Sequence, residues 1–460
     1  MYNLFITVFI GVFTLTKFVH FIGIGGISMS GIAKILLSNN IEVSGSDISE
    51  SESVRELKDL GAKVAIGHRA ENITNQDIVV YTSAVHDDNP EIIAAKQKGI
   101  KLIDRATMLG YIMKDYTDAI SVAGTHGKTT ATSMMAYVLL EDKKDPTVMV
   151  GGKLDGIDGN LRIGGSGYFL TETCEYMRNF LKFFPKIAII LNVEEDHLDY
   201  YKDIDDIVDA FSSFCALVPE DGYVVVNKES EYAVKSAKGS KAKVYTFGFN
   251  AADYMAKNIT YSDYGYPSFD VYEKASLIGS ISLNVVGVHN VLNALSVAAA
   301  ALNMGIDFES IKKGLEKYTG TKRRFEKKGF VNGALVIDDY AHHPTEIKAT
   351  LKALDNIKHQ RQWVIFQPHT YTRTISLLDD FAKALSLSDN VIITDIFAAR
   401  EKDTGIVHSK DLASRIKNAI YIKDFCDIEK YIKENAKEGD VVLTVGAGDV
   451  YKIGENLSKK

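Results

Sequence analysis

The chain has 460 residues, enough for about three domains of ordinary size. It is 46% hydrophobic and 25% charged with a net charge of −7, which gives no reason to expect nucleic acid as a partner. Its cysteines, Cys174, Cys215 and Cys426, form no Cys-x-x-Cys pair. This argues against a zinc or disulfide framework and favours a reducing, cytoplasmic location.

Residues 1–17 form an apolar leader of unknown role. The run Leu4–Leu15 is shorter than the roughly 20 apolar residues that a transmembrane helix needs. It also lacks the basic flank and the small-residue cleavage site of a signal peptide. An extra strand, a disordered leader and a misassigned start are all open, and no stable membrane association is expected.

A Rossmann-like pattern opens the next segment, residues 18–115. Phe18–Ile22 predicts a buried strand, which a glycine turn and a helical stretch follow. The dinucleotide fingerprint would require glycine where the chain has Ser28, so the match is incomplete. The pattern therefore predicts a nucleotide diphosphate site, with NAD as one candidate and a purely structural turn as the alternative.

Polar and glycine residues at three strand ends form the predicted site. The second strand ends near an acid that could bond a ribose hydroxyl. A further strand gives way to small hydroxylated residues that suit a phosphate or uracil contact. The predicted residues are Gly23, Gly25, Gly26, Ser46, Asp47 and Ser83.

The most informative pattern lies in the middle segment, residues 116–320. The apolar stretch Ala119–Ala123 predicts a strand, Ala131–Leu140 predicts a helix, and a glycine-rich loop with Lys-Thr-Thr joins them. Such a loop places its N–H groups at a helix N-terminus, where phosphate binds. The loop is a compact variant of the common P-loop, and it predicts ATP bound by Gly124, Thr125, His126, Gly127, Lys128, Thr129 and Thr130.

Two more predicted strands of this segment end in acids. One is followed by Glu172 and Glu175, and the other by a cluster that includes His197. They would meet the loop at the carboxyl edge of a parallel sheet. Because Mg²⁺ prefers carboxylate oxygens, while histidine also suits Mn²⁺, Thr129, Glu175 and His197 are predicted metal ligands. Solvated helix starts are the alternative for the acids.

A polar helix start follows at His289, Asn290 and Asn293. His289 and Asn293 share a helix face at i, i+4, and their imidazole and amide groups can bond adenine edges. An ordinary cap is the alternative.

Residues 321–460 alternate strand and helix again, which predicts a second Rossmann-like domain. Its strand ends carry a high density of polar groups, among them Asp339, His342, His343 and Arg373. Together they predict a site that faces the ATP-binding segment.

Several motifs occur in the order and spacing of one protein family. They are Gly-Thr-His-Gly-Lys-Thr-Thr at 124–130, Asn-x-Glu-x-Asp-His at 192–197, Gly-x-His-Asn-x-x-Asn at 287–293 and Arg-Arg-Phe at 323–325. They resemble the motif set of the Mur ligases over residues 18 to about 455. The resemblance implies an α/β fold of three domains: a Rossmann-like UDP-sugar-binding domain (18–115), a central P-loop ATPase-like domain (116–320), and a Rossmann-like C-terminal domain (321–460) that binds amino acid and ATP.

Further motifs, at 338–346 and 366–369, are similar to family members that join L-alanine to the carboxylate of UDP-N-acetylmuramate in peptidoglycan precursor synthesis. That reaction consumes ATP and passes through an acyl phosphate. The resemblance implies two Mg²⁺ ions, at Thr129 with Glu175 and at His197, for which Mn²⁺ could substitute. The implied catalytic residues are Lys128, Glu175, His197, His342, His343 and Arg373, and the implied ATP contacts beyond the loop are His289, Asn290, Asn293, Arg324 and Asp339.

Three other functions are weighed against this one. A sibling ligase that adds a recovered tripeptide to the same sugar nucleotide shares most motifs. A nicotinamide oxidoreductase leaves Lys128 and His289 unused, and a non-catalytic nucleotide-binding module is the third. The family pattern is also incomplete: Glu172 and Glu175 are kept but the acids around them are not, and 203–227 contains no lysine that could be carbamylated as in some relatives. The pattern gives no oligomeric state.

Overall fold

The computed structural model describes residues 16–459 except 83, 158, 199, 263–264, 400 and 404. Three β-sheets follow one another along the chain, each with its own helices. This confirms the predicted α/β architecture of three domains. The apolar leader up to residue 15 lies outside the described residues.

The first domain is a parallel five-stranded sheet with helices on both faces. Its elements are β1 (Phe18–Ile22), α1 (Ile27–Ser38), β2 (Glu42–Asp47), α2 (Glu52–Asp59), β3 (Lys63–Ile66), β4 (Ile78–Tyr81), α3 (Pro90–Lys98), β5 (Lys101–Asp104) and α4 (Arg105–Met113). The strand order is β3-β2-β1-β4-β5. The order reverses between β1 and β4, which is where doubly wound sheets bind ligands.

The middle domain has a mixed ten-stranded sheet. Its elements are β6 (Asp118–Ala123), α5 (Lys128–Glu141), β7 (Thr147–Leu154), β8 (Gly159–Arg162), β9 (Tyr168–Glu172), β10 (Ile187–Ile190), α6 (Ile204–Cys215), β11 (Tyr223–Asn227), α7 (Glu231–Ala237), β12 (Lys243–Gly248), β13 (Tyr254–Tyr261), β14 (Pro267–Glu273), β15 (Ser276–Ser282), α8 (Val288–Asn303) and α9 (Phe308–Lys317). The order is β15-β14-β13-β12-β11-β10-β6-β9-β7-β8, with antiparallel pairing from β13 to β15 and between β7 and β8.

Helix α5 lies deep in this domain. It packs on β7 and β9 and against both α8 and α9, so it is buried on nearly all sides, with its polar Thr132 and Ser133 included. Met134 and Met135 are fully buried in the largest core cluster, beside Leu295 of α8. A helix held on several sides gives the loop at its N-terminus a rigid base.

The last domain has a six-stranded sheet that is parallel except at one edge. Its elements are β16 (Glu326–Val331), β17 (Ala334–Asp339), α10 (Pro344–Leu354), β18 (Gln362–Phe366), α11 (Tyr371–Ser376), α12 (Leu378–Leu385), β19 (Asn390–Ile393), α13 (Ser409–Ala413), β20 (Ala419–Tyr421), α14 (Phe425–Asn435), β21 (Val441–Val445) and α15 (Tyr451–Leu457). The order is β16-β17-β21-β18-β19-β20, with β16 antiparallel to β17. Among the described residues, no helix is long and apolar enough to cross a bilayer.

Strand register brings the predicted site residues of the middle domain to one edge. Ala123 at the end of β6 is paired with Ile190 of β10, and Val122 is paired with Glu172 of β9. The loops that leave these strands therefore emerge side by side at their carboxyl ends, as the sequence predicted.

Candidate active site

The glycine-rich loop between β6 and α5 is held in shape by one side chain. Asn192, two residues beyond β10, accepts a hydrogen bond from the His126 N–H at 2.7 Å and donates to the His126 carbonyl at 3.1 Å. Gly127 has a φ of +84°, and a Cβ there would lie 2.7 Å from Asn293 Oδ1. Glycine is therefore required both by the backbone conformation and by the close approach of α8.

Lys128 begins α5 and folds back over the loop. Its Nζ donates to the Gly124 carbonyl at 2.6 Å and to Glu175 Oε2 at 3.0 Å. Burial lowers the pKa of Lys128, but the Glu175 carboxylate outweighs it and raises the pKa above its ordinary value. Lys128 is thus a fixed positive charge at the helix N-terminus, where a phosphate would also be held.

Two carboxylates stand beside the start of α5, each with a different partner. Glu172 accepts a hydrogen bond from Thr129 Oγ1 at 2.7 Å, whereas Glu175, which is 3% exposed, pairs with Lys128. His197 Nε2 lies 3.9 Å from Glu175 Oε1. The predicted metal ligands Thr129, Glu175 and His197 are thus brought together, and Glu172 joins them.

The backbone around these groups is strained. His197 has a φ of +54°, and Met177 and Arg178, just after Glu175, have φ values of +55° and +53°. Non-glycine residues in the left-handed region cost free energy and cluster at functional sites.

A cavity of about 460 Å³ lies between the middle and last domains, over the glycine-rich loop at 124–130, which is called the phosphate loop below. Most of the predicted ATP-binding residues line it, namely His126, Gly127, Thr130, His289, Asn290, Asn293, Arg324 and Asp339. Gly124, Thr125, Lys128 and Thr129 are not among its lining residues. The cavity has room for a nucleotide, and the base-contacting role of each residue stays a prediction.

The polar groups of this cavity differ in their hydrogen bonds within the protein and in their pKa values. Asn290 already donates to the Val286 carbonyl at 2.8 Å and accepts from Asn293 at 3.1 Å. Asp339 accepts from the N–H groups of Phe325 and Ala341, and burial raises its pKa to about 6. Burial lowers the pKa of His289 to about 4, so its ring is neutral near pH 7.

The phosphate loop also contacts the last domain directly. His126 Nδ1 donates to Glu346 Oε1 of α10 at 3.1 Å, and its Nε2 lies 3.6 Å from Glu194 Oε2. Burial lowers the pKa of His126, but these two carboxylates outweigh it and raise the pKa to about 9. His126 is therefore charged at neutral pH and links the two domains.

The same region contains a candidate metal-ligand set. Ligand atoms of His126, Glu194 and His343 lie within 4.8 Å of one another. Both ring nitrogens of His343 are already used, because Nε2 donates to the Glu195 carbonyl and Nδ1 accepts from the Thr345 N–H. His126 is protonated, so its ring offers no lone pair either, and Glu194 is left as the one available ligand of the set, fewer than a structural metal site needs.

A second, smaller cavity of about 130 Å³ lies nearby and is lined by His197, Arg373, His369 and Glu401 among others. Arg373 donates to Asp196 Oδ1 at 3.0 Å. Burial raises the pKa of Asp196, yet His197 and Arg373 together hold it well below its ordinary value. The structure thus brings two predicted catalytic residues, His197 and Arg373, to one polar cavity.

His342 and His343 are not among the residues that line this smaller cavity. The His342 ring lies 5.9 Å from the ring of His369, which does line it. Burial lowers the pKa of His342 to about 4 and also lowers that of His343. Both rings are therefore neutral near pH 7.

The predicted nucleotide site of the first domain forms a separate group. Gly23 has a φ of +80°, and the Gly25 N–H donates to Asp47 Oδ2 at 2.9 Å. Ser46 is fully buried, and Ser83 lies outside the described residues. Gly26 caps α1, and Arg105 of α4 donates to Ser28 Oγ at 2.8 Å. The nucleotide-binding role of this group stays a prediction.

Several site residues were not singled out from the sequence: Asn192 as the clamp of the loop, Glu194 and Glu346 as partners of His126, and His68 and Arg105 beside the first glycine turn. Glu346 stands three residues after His343, where a glutamate completes a capping box, so a sequence signal for its helix-start position existed. Its contact with the phosphate loop joins residues 220 positions apart, and no local pattern marks it.

A three-domain α/β fold with a glycine-rich Lys-Thr-Thr loop at the boundary of the second and third domains is the architecture expected of a Mur-type ligase. The family models match residues 18–117 (Mur ligase family, catalytic domain), 122–301 (Mur ligase middle domain) and 323–448 (Mur ligase, glutamate ligase domain). The chain belongs to the Mur ligase family.

Among its relatives, the UDP-N-acetylmuramate--L-alanine ligase of Caldanaerobacter subterraneus subsp. tengcongensis is 52% identical over 96% of this chain and 97% of its own. The enzyme of that name from Acetivibrio thermocellus is 52% identical over 96% of each chain. In solved structures, the UDP-N-acetylmuramate-alanine ligase MurC of Thermotoga maritima is similar with a TM-score of 0.78 and 33% identity, over 95% of this chain and 97% of that one. The murein peptide ligase of Psychrobacter arcticus has a TM-score of 0.69 and 26% identity, over 96% and 98%.

Proposed function

We propose that this chain joins L-alanine to the carboxylate of UDP-N-acetylmuramate, with cleavage of ATP to ADP and phosphate, in peptidoglycan precursor synthesis. The observation that carries the proposal is the juxtaposition of two cavities at one domain boundary: a nucleotide-sized cavity over the phosphate loop and a small polar cavity beside His197. The 52% identity to L-alanine ligases over nearly the whole chain supports the choice of amino acid.

The three domains divide the substrates between them. We propose that residues 18–115 bind the UDP part of the sugar nucleotide, residues 116–320 bind ATP, and residues 321–460 bind the amino acid and complete the ATP site. Arg105 lies between the first and second sites, since it bonds Ser28 and also acts electrostatically on Cys174, next to Glu175. We propose that it binds an anionic group of the sugar nucleotide. A reducing cytoplasmic location fits the free cysteines of the chain.

The first chemical step makes a leaving group. A carboxylate oxygen of the muramate attacks the γ-phosphorus of ATP, a new P–O bond forms, and ADP leaves. Such transfers are catalysed mainly by positioning and by neutralising charge. Lys128 is the group for this purpose, and it would exchange its bonds to Glu175 and to the loop carbonyl for phosphate oxygens.

The donor set beside α5 suits Mg²⁺ because it offers carboxylate and hydroxyl oxygens. We propose that Thr129 and Glu172 hold one ion and that Glu175 and His197 hold a second; the histidine makes Mn²⁺ an acceptable substitute. Bound Mg²⁺ neutralises the charge of the phosphates during transfer. Glu172 is added to the ligands predicted from sequence, and it replaces Glu175 as the partner of Thr129, because it is the carboxylate bonded to Thr129.

In the second step the amine of alanine attacks the acyl carbon, a C–N bond forms, and phosphate leaves with the electrons of the C–O bond. We propose that Arg373 binds the carboxylate of the amino acid, in place of its present bond to Asp196. The ammonium must lose a proton, which passes to water, before it attacks. His342 is neutral and its Nε2 can accept a hydrogen bond, whereas both ring nitrogens of His343 are already used, but a pKa of about 4 makes His342 a weak base. We therefore assign His342 to orienting the ammonium.

The test is phosphate release from ATP by the full chain with UDP-N-acetylmuramate, alone and with each of several amino acids. The proposal requires release that depends on both UDP-N-acetylmuramate and L-alanine. Faster release with the tripeptide of peptidoglycan turnover than with L-alanine would instead identify the sibling ligase. Release without the sugar nucleotide would exclude both ligases.

A further inference from the structure

The first domain contains a fully buried carboxylate that the proposed chemistry does not use. Glu91, in the first turn of α3, has no exposed surface. Its oxygens accept hydrogen bonds from Asn72 Nδ2 at 2.5 Å and from Ser46 Oγ at 2.5 Å. Burial raises the pKa of Glu91, but the His20 ring, 3.8 Å away, and the hydrogen bonds from Ser46 and Asn72 hold it below its ordinary value. Glu91 is therefore ionised at neutral pH, and as an ionised group it only accepts hydrogen bonds.

These contacts determine which nitrogen of His68 carries the proton. Ser46 has one hydroxyl hydrogen, and it is donated to Glu91. The 2.8 Å contact between Ser46 Oγ and His68 Nδ1 must then run from Nδ1–H to the hydroxyl. Glu91 Oε2 also lies 3.3 Å from Nδ1, which favours the same proton position. In the neutral ring, Nε2 consequently has a free lone pair.

The ring of His68 lies against the strand end that is joined to the glycine turn. It follows β3 directly, and the N–H of the preceding Gly67 donates to the Asp47 carbonyl at 2.8 Å. The neighbouring strand end is joined to the glycine turn, since the Gly23 N–H donates to the Ser46 carbonyl at 2.8 Å. The side chain of His68 is 20% exposed, and among the described residues no protein group bonds its Nε2.

The acid that usually bonds the ribose at this edge also holds the backbone of the turn. Asp47 Oδ2 accepts from the Gly25 N–H at 2.9 Å, and Oδ1 accepts from the Ser49 N–H at 3.3 Å. Asp47 thus shapes the turn. His68 Nε2 is a further hydrogen-bond acceptor at the carboxyl edge of the sheet, and its lone pair is not used by any described residue.

We propose that His68 Nε2 accepts a hydrogen bond from the uridine part of the sugar nucleotide, and that Glu91, by its direct contact with Nδ1 and through Ser46, is the positioning residue that keeps Nε2 free of a proton. The inference rests on the proposed function, which makes a uridine nucleotide the ligand of this domain. Uridine offers suitable donors in the imide N–H of uracil and in the ribose hydroxyls. The contact would make His68 a residue that determines nucleotide specificity.

The experiment is calorimetric titration of the full chain with UDP. His68→Ala should weaken UDP binding about tenfold, the effect of losing one well-placed hydrogen bond. Glu91→Gln should weaken it similarly, because a glutamine amide would donate to Ser46, turn the hydroxyl toward Nδ1 and place the proton on Nε2. Ser46→Ala should change it less than threefold, since Glu91 still holds the Nδ1 proton directly. Lys63→Ala, an exposed residue of β3, is the matched control.

Analogues identify the donor and separate recognition from a merely structural role. CDP lacks the imide N–H, and 2′-deoxy-UDP and 3′-deoxy-UDP each lack one ribose hydroxyl. At least one of them should bind the wild type more weakly than UDP does, and His68→Ala should bind that analogue and UDP alike. A variant that was only destabilised would bind all of these ligands more weakly and would keep the wild-type ratio of analogue Kd to UDP Kd.

Wild-type-like UDP binding by folded His68→Ala, or an unchanged ratio for every analogue, would overturn the inference. The proposed function has its own readout in the phosphate-release assay with UDP-N-acetylmuramate and L-alanine. If phosphate release depends on both substrates while the ratios of analogue Kd to UDP Kd are the same in His68→Ala and the wild type, only the role of His68 is wrong. If the wild type neither binds UDP nor turns over, the proposed function itself is wrong.

Discussion

The two glycine turns of this molecule have the same local form but different surroundings. Each follows a buried parallel strand and opens a helix, at Gly23 in the first domain and at Gly124 in the second. The first turn is supported inside one domain, by Asp47 and by the strand end at Ser46. The second carries Lys128 and reaches across a domain boundary through His126 and Glu346.

This difference distinguishes a turn suited to binding a nucleotide from a turn suited to phosphoryl transfer. A turn without a cation of its own can hold a diphosphate that stays intact, whereas phosphoryl transfer needs positive charge at the transferred group. A loop that touches another domain can also link nucleotide binding to closure of the site over the second substrate. The predictions below test the second turn first and then the first turn.

Removing the cation of the second turn should have the largest effect. Lys128→Ala should lower turnover by ~10²–10³-fold, the scale of losing one preorganised charge partner of the transferred phosphate. UDP binding by the first domain should be unchanged. Phosphate release and UDP titration on the same folded variant check both statements. Turnover near that of the wild type would contradict the assignment of the phosphate loop.

The carboxylates beside α5 should determine the magnesium requirement. Glu172→Gln, Glu175→Gln and His197→Ala should each raise the Mg²⁺ concentration for half-maximal rate by about tenfold or more, because each removes a proposed ligand. The measurement is rate against Mg²⁺ at saturating ATP. Asp270→Asn, an acid on the exposed part of β14, is a control that should not shift the curve. Unchanged curves for all three site variants would mean that these groups only shape the strand ends.

The link between His126 and Glu346 should show in the pH dependence of stability. The pKa of His126 is raised to about 9 in the fold, above the ordinary 6.5. Its stabilising effect is therefore fully present below pH ~6.5 and lost as pH rises through about 9, and it amounts to about 3 kcal/mol. Denaturant unfolding of the wild type and His126→Asn should differ most near pH 6 and least near pH 9.5. A difference independent of pH would contradict a charged His126.

The smallest effect is expected in the first turn. A Cβ on Gly25 would lie 2.9 Å from Asp47 Oδ2 and 3.0 Å from Ser51 Oγ. Gly25→Ala should destabilise the chain by about 1–2 kcal/mol through overpacking and raise the KM for UDP-N-acetylmuramate severalfold. The KM for ATP should stay the same. Equal rises in both KM values would show that the two turns are not independent.

Much of the site was predictable because its residues follow strands directly. The phosphate loop, Glu172 and Glu175, and the cluster ending at His197 each come just after an apolar stretch, and parallel strands bring such ends to one edge. The order of the three α/β units was predictable for the same reason. The prediction that Ser46 contacts the nucleotide did not anticipate that its side chain is fully buried beneath His68.

The sequence by itself determined the local features: strands that end in glycine turns, the lysine at a helix start, and acids placed after strands. Hydrophobic periodicity, glycine positions and charge patterns each involve only a few neighbouring residues, so they can be recognised in the sequence. Only the tertiary structure decided which partners these residues have. Glu346 pairs with His126, Thr129 bonds Glu172 rather than Glu175, and the proton of His68 is positioned by Glu91. Each of these choices depends on distances between segments far apart in the chain, and hydrogen bonds and ion pairs act only over a few ångströms.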